Sequence, residues 1–452
     1  MKSRFPVLLT ALLLALHGLN GAIAQEAPAV PQTDAPAQDA QPEPDAGKAD
    51  DRKVPLDEIR RYVAVYSAIK QAYVEPVDDG DLMQSAIRGL LFDLDPHSVY
   101  FEKSQAEEFD EQSRGAYEGI GVELQRQPNG TLKVVAPIDD TPAARAGLQS
   151  GDLITAIDGK GFKPDEGDTS APLRGPAGSS LTLTVVREGR DKPFDVSLTR
   201  EVIRITSVRA KMLEPGYGYV RISAFQADTA ADFEKQIAVL KEQAGGRLRG
   251  LLIDLRSNPG GLLTSAVQIA DDLLEKGVIV STRGRLAISD AEFSATPGDR
   301  LDGAPVVLLV DAGSASASEV LAGALRDNDR ARIVGSRTFG KGSVQTVMPL
   351  DNGDSVKLTT ARYYTPSGRS IQASGIAPDV LLHPSEDAAN GGRASYVESS
   401  LRGHLAGSEE EGEDPAGEEQ TGEVLAGEAH IASALAELKK LATTVAGATP
   451  AQ

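Results

Sequence analysis

"GAPVVLLVDAGSASASEVLAGALRDN", Gly303 to Asn328, changes period part-way along. "PVVLLVD" is an unbroken apolar run that closes on Asp311. From Ser316 onward the apolar residues recur at helical spacing instead. A strand covered on both faces reads as such a run, because helices pack above and below a parallel sheet. A buried strand therefore turns straight into a helix, through three serines that alternate with alanines: Ser314, Ser316 and Ser318. One serine is enough to cap a helix. Ser316 and Glu319 fit a capping box, serine three residues ahead of glutamate. The same hydroxyl also stands over free N–H groups at a helix N-terminus, where developing negative charge is stabilised. Nucleophiles with oxyanion sites are built on such turns. On this stretch alone both readings of Ser316 remain open.

Outward from it the same alternation continues. "GYGYVRIS", "GLLIDLRSN", "VIVSTRG" and "ARIVGS" read as strands, and "TAADFEKQIAVLKEQAG" and "LLTSAVQIADDLLEKG" as helices between them. That is a layered α/β domain over 204–384. Leu358 to Thr365 and Val380 to His383 add late strands. Before it, over 105–203, short β-branched runs are separated by Gly, Pro and Asp turns and one short helix, "PAARAGL". This is a small β-rich module. Two helices precede that module, in a helical region over 52–104, and end where Pro96 breaks the pattern.

The ends have another character. Residues 1–24 read as a cleaved secretory signal, with Lys2 and Arg4 ahead of a short apolar run and a small-residue cleavage site. Residues 25–51 are rich in Ala, Pro, Asp and Gln and read as a disordered tether. Residues 385–428 read as an acidic linker, since Glu409 to Glu423 carries eight acids and no base. In the terminal segment 429–452, Ile431, Leu435, Leu438, Leu441 and Val445 line one face of a helix. That face fits packing on its own domain and fits an oligomer contact equally. The formal charge of −20 argues against nucleic acid as a partner. The absence of cysteine excludes disulfides and thiol nucleophiles, and with an export signal it points to a bacterial periplasm.

A nucleophilic serine needs a base. Five histidines are present, His17, His97, His383, His404 and His430, and their settings support no triad and no metal site. A lysine serves if burial strips its proton. Lys341 stands between two glycines in "GSRTFGKGSVQTVMPL". Gln345, four residues on, can orient it without adding charge. Four residues span about 13 Å along a strand, so the glycines must curl the chain. "DLRSNPGGLL" places Gly260 and Gly261 where their N–H groups face a shared cleft, or where they simply make a tight turn.

Together, "GSASASEVLAGALRDNDRARIVGSRTFGKGSVQT", "LLIDLRSNPGGLL", "LDPHSVYF", "YEGIGVEL" and "PAARAGLQSGDLITAIDG" closely resemble the carboxyl-terminal processing peptidases, in the family's order. The resemblance covers about Leu56 to Leu382, and weakly "YVESSLRGHL". It implies a layered α/β core of the ClpP/crotonase kind, an inserted PDZ domain, and helical N- and C-terminal elements. It implies a serine endopeptidase with Ser316 as nucleophile, Lys341 as base and Gln345 in support, acting through an acyl-enzyme without metal or other cofactor. Oxyanion donors fall on the N–H of Ala317 and of Gly260 or Gly261. The PDZ domain is expected to bind protein tails with apolar C-termini, using Gly119, Ile120, Gly121 and Val122 as the carboxylate loop. Arg174 would sense the same peptide or gate the site, or lie idle on the surface. A homo-oligomer and an adaptor or activator protein are the other expected partners. Two rivals fit parts of this pattern. A peptide-binding scaffold with a dead protease domain is weakened by the presence of all three catalytic residue types. An acyl-transfer enzyme on the same layered fold needs neither export signal nor PDZ module.

Overall fold

The computed structural model describes residues 54–163, 169–384, 397–407 and 422–447. The leader at 1–24, the tether at 25–51 and the acidic run from 408 to 421 lie outside the described residues. The chain forms two compact units divided after Pro76. In the first, a helix spans Leu56–Ala72, with Asp57 and Glu58 in its first turn and Lys70 in its last, each favourable to the helix dipole.

The second unit is organised around a six-stranded sheet. Its order is Val208–Glu214, Tyr217–Ile222, Gly250–Asp254, Val306–Val310, Ala331–Gly335 and Val380–Leu381. The first pair is antiparallel and the rest are parallel. Every residue of the two central strands is buried. Side chains alternate between faces along a strand. Leu251, Ile253, Val306 and Leu308 join one core with the helices Thr229–Gln243, Leu263–Asp271 and Ala317–Asp327. Leu252, Val307 and Leu309 join a second core on the other face. There they meet Ala434 and Leu438 of the C-terminal helix Ala429–Gly447. Of the two readings of that helix, it packs back on its own domain. Ile431, Leu435 and Leu441 also pack there, while the Val445 side chain lies outside the described residues.

A second, antiparallel sheet lies on the far side of the Ala317–Asp327 helix, which is buried from Ala317 through Leu325. Its central strand, Ser355–Tyr364, pairs with Val99–Phe101, Ser343–Pro349 and Val278–Gly284. Ile279, Val280 and Tyr363 of this sheet join the same core as Val320 and Leu321 of the helix. The β-rich module is an antiparallel sheet with its own core, including Ile120, Val134, Ile154, Leu183 and Leu198. It enters the chain through Ala116–Gly119 and leaves through Glu201–Arg204, and those two strands pair as a neck.

The stretch read as an acidic linker is not loose throughout. Glu398 is fully buried, and Glu423 to Gly427 is stitched to the main sheet. The Ala312 N–H donates to the Glu423 carbonyl at 3.1 Å and the Leu425 N–H to Asp311 Oδ2 at 3.1 Å. Arg256 Nη1 donates to the Leu425 and Gly427 carbonyls at 3.0 and 2.9 Å. Composition hides this, because the anchors are backbone groups. Leu438 is the pin of the C-terminal helix and touches the Gly250 backbone, where any added Cβ would come within 2.9 Å of it. Leu438→Ala should cost about 2 to 4 kcal/mol in urea unfolding. A loss under about 0.5 kcal/mol would show that the helix does not brace the sheet.

Candidate active site

The three serines are now distinguishable. The Ser314 hydroxyl donates to the Leu255 carbonyl at 2.8 Å, and the Ser318 hydroxyl to the Asn258 carbonyl at 3.0 Å. Both side chains are fully buried and fasten the serine turn to the neighbouring Leu255–Leu262 turn. Ser316 alone lines a cleft of about 450 Å³. Its backbone sits at φ 55°, ψ −115°, a sparsely populated conformation for a residue with a Cβ, and such strain persists only where surrounding bonds impose it.

Glu319 imposes it. Its carboxylate is fully buried and accepts four hydrogen bonds from two separate segments. Oε2 takes the Ser316 N–H at 2.8 Å and the Lys341 N–H at 2.9 Å. Oε1 takes the Gly340 N–H at 2.7 Å and the Thr338 hydroxyl at 2.5 Å. The capping box is therefore real on its backbone side, and it also clamps the Lys341 loop against the serine turn. A second tie holds the far side of Lys341. The Gly342 N–H donates to Gln372 Oε1 at 3.0 Å, and Gln372 Nε2 donates to Glu398 Oε1 at 2.9 Å. Gly342 passes so near Gln372 that an added Cβ would lie 2.2 Å from its backbone nitrogen.

Lys341 lines the same cleft as Ser316. Among the described residues its ammonium has no hydrogen-bond acceptor and no ion pair. Burial, chiefly, and then the Lys357 charge lower its pKa from 10.5 to about 8, against the opposing fields of Glu398, Glu319 and Asp95. Gln345 also lines the cleft, from Ser343–Pro349, where the ladder slips between Val344 and Gln345. Its Nε2 donates to Ser343 Oγ at 2.8 Å, with a longer contact to Thr359 Oγ1 at 3.4 Å.

The Leu255–Leu262 turn separates the two glycines. The Gly260 N–H is spent on Asn258 Oδ1 at 2.9 Å, while Asn258 Nδ2 donates to the Ile222 carbonyl at 3.0 Å. The Gly261 and Ala317 N–H groups have no acceptor among the described residues. Gly260 lets the turn close on the serine, since a Cβ there would lie 2.8 Å from Ser316 Cβ and 3.0 Å from the Ala317 nitrogen.

Several residues escaped the sequence. Tyr363 lines the cleft beside the Ser316 hydroxyl, and burial pushes its phenol up to about 12. Lys357 is a second cation in the cleft. His97, set aside as a base, pairs through Nε2 with Glu398 Oε2 at 2.8 Å, and Glu398 is one of the three carboxylates whose fields reach Lys341. In the β-rich module, the Ile120 and Gly121 N–H groups have no acceptor among the described residues, and Gly119 and Val122 flank them at the strand ends. Among the described residues Val122–Arg126 is an edge strand, paired only with Leu132–Pro137. Arg174 stands away from that loop. It pairs with Glu111 and lies over the Tyr117 ring at 5.2 Å, at the neck.

Residues 216–382 match the model of peptidase family S41, 133–187 a PDZ domain, and 21–105 the N-terminal domain of the activating protease CtpB. A carboxy-terminal-processing protease of Bartonella bacilliformis is 42% identical over 78% of this chain and 82% of its own. The chain belongs to the carboxyl-terminal processing peptidase family. A CtpA-like serine protease of Staphylococcus aureus is 38% identical over 70% of the chain and 63% of its own. A photosystem II D1 C-terminal processing protease of solved structure is 32% identical, covering 73% of the chain and 94% of its own, with a TM-score of 0.42. This carboxyl-terminal processing peptidase is thus a serine-type hydrolase that carries a PDZ domain.

Glu319→Ala would leave four donors unpaired, and we expect a loss of about 3 kcal/mol in chemical denaturation. A loss under about 1 kcal/mol contradicts the clamp. Burial also lifts the Glu319 carboxyl from 4.5 to about 7. Between those values the folded chain holds a proton that the unfolded chain has released, so this group's contribution to stability falls as pH rises. Stability measured from pH 4.5 to 7 should lose that component of its slope in Glu319→Gln.

Proposed function

We propose that this peptidase cleaves exported proteins near their carboxyl termini with Ser316 as nucleophile and Lys341 as general base. The observation that carries the reading is a half-buried lysine with no counter-ion among the described residues, sharing one cleft with a serine held in a strained turn. The uncharged Lys341 amine takes the Ser316 hydroxyl proton, and Oγ attacks the peptide carbonyl carbon. The oxyanion that forms is received by the Ala317 and Gly261 N–H groups, which carry no acceptor among the described residues. Gly260 supports that hole as packing and not as a donor. The lysine proton then passes to the leaving nitrogen, the C–N bond breaks, and an ester to Ser316 remains. Water attacks that ester, yielding its proton to Lys341, and the Ser316 hydroxyl is restored. Gln345, fixed by Ser343 and Thr359, offers its amide oxygen to the amine without adding charge.

The open edge of Val122–Arg126 suits an apolar protein tail added as a further strand, its carboxylate on the free N–H groups of Ile120 and Gly121, between Gly119 and Val122. Arg174, bound at the neck, is suited to reporting that occupancy to the cleft. We further assign residues 1–24 as an export leader to the periplasm, 25–51 and the acidic run as linkers, 105–203 as the PDZ domain and 204–384 as the protease core. Homo-oligomerisation and control by an adaptor or activator belong to the same reading.

Cleavage of an unstructured protein tests it. Ser316→Ala should abolish turnover, and Lys341→Ala should lower it by at least about a hundredfold. Since Lys341 accepts a proton only when neutral, kcat/KM should rise with pH and level off above about 8. Undiminished cleavage by either variant, or a plateau already reached at pH 6, would overturn it.

A further inference from the structure

The wall of the cleft holds a lysine that the mechanism above does not use. Lys357 and Tyr363 both belong to Ser355–Tyr364, on either side of the place where the ladder slips at Thr360. Both line the cleft together with Ser316 and Lys341. Across the ladder, Val347 faces Lys357 and Gln345 faces Thr359. The Lys357 ammonium lies 5.4 Å from the ring centre of Phe101 and 5.4 Å from that of Phe109. Among the described residues it makes no salt bridge and no hydrogen bond. A partly buried ammonium without an anion is costly, and a lysine ordinarily relieves that cost by extending its head into water. Here the head is kept on two aromatic faces, which favour a cation.

We propose that Lys357 is a positioning residue that acts through its charge: seated on Phe101 and Phe109, it keeps the neighbouring Lys341 amine uncharged and able to take the Ser316 proton. The proposal rests on the Ser316/Lys341 reading. The groups facing Lys341 come from four elements. Glu319 belongs to the Ala317–Asp327 helix, Glu398 to the Glu398–Ser400 turn, Asp95 to the loop before Val99–Phe101, and Lys357 and Tyr363 to Ser355–Tyr364. The three carboxylates all favour the protonated lysine. Each is already engaged: Glu319 by its four donors, Glu398 by His97 and Gln372, Asp95 by the His97 N–H, Ser98 and Thr359. Tyr363 stays a neutral phenol. Lys357 is the one charge in this set that opposes protonation, and it adds to burial. Burial lowers the pKa of Lys357 itself, and Asp95 opposes that by favouring its charged form.

The test is the pH profile of kcat/KM for wild type, Lys357→Met, Lys357→Arg and Lys341→Ala on one unstructured substrate. Lys357→Met keeps the apolar stem and removes the charge. Its rising limb should move up by roughly half to one pH unit, with the rate at pH 7 falling about three- to tenfold and the high-pH plateau retained. Lys357→Arg keeps the charge and should keep the wild-type limb. Thermal unfolding of Lys357→Met should show no loss of stability, because an unpaired cation is removed. If the Lys357→Met limb stays in place while Lys341→Ala is inactive, the proposal fails and the Ser316/Lys341 reading stands. If Lys341→Ala retains wild-type turnover, that reading fails and takes the proposal with it.

Discussion

The site depends on one buried carboxylate. Glu319 accepts two hydrogen bonds from the chain at Gly340 and Lys341, one from the Thr338 hydroxyl, and one from the Ser316 N–H. Among the described residues no arginine or lysine side chain shares it, so no long side chain stands between the two segments there. The neutral donors bring the backbones themselves into contact. Desolvation outweighs these donors and leaves the carboxyl near 7 rather than 4.5. A cation in their place would hold the carboxylate more firmly but would crowd the lysine with another charge. Backbone donors fix the geometry while leaving the cleft's electrostatics to the lysines.

Behind the clamp, two further buried side chains register the turns. Asp311 accepts the Ser257 N–H at 2.7 Å and the Gly313 N–H at 2.9 Å, so it joins the glycine turn to the serine turn. It also receives the Leu425 N–H, which carries the C-terminal segment into the same network. Asn258 ties the Gly260 N–H to the Ile222 carbonyl and so to the adjacent strand. The ends of three parallel strands and the tail of the domain are thereby locked together at the point where charge would develop. Ligand sites outside the carboxyl ends of parallel strands are a general outcome of this architecture.

Much of this was legible in the chain. The apolar run into "GSASASE" marks a buried strand entering a helix, and the alternation on either side marks the layered domain, because both follow from local periodicity. Ser316 and Lys341 stand out as residue types on turns, with Gln345 four residues beyond the lysine, and the three line one cleft. What stayed hidden depends on partners distant in sequence. Ser314 and Ser318 look identical to Ser316 until the turn they fasten is known. Glu319 reads as a cap, and its donors from residues 338–341 are invisible to any local pattern. The strand Val99–Phe101 meets Ser355–Lys357 across some 250 residues, so the phenyl seat of Lys357 had no signal. Glu398 sits in a polar run whose composition points outward, although hydrogen bonds to His97 and Gln372 draw it inward. Gly260 and Gly261 are indistinguishable as letters and differ only because Asn258 reaches one of them.

Proton transfer from Ser316 depends on the protonation state of one amine. Isotope-edited NMR of the Lys341 side chain, in the intact chain carrying Ser316→Ala to prevent self-cleavage, reads it directly. A titration midpoint near pH 8 is the result the structure predicts. A midpoint at or above 10 would leave Lys341 charged at neutral pH and contradict its role as the base.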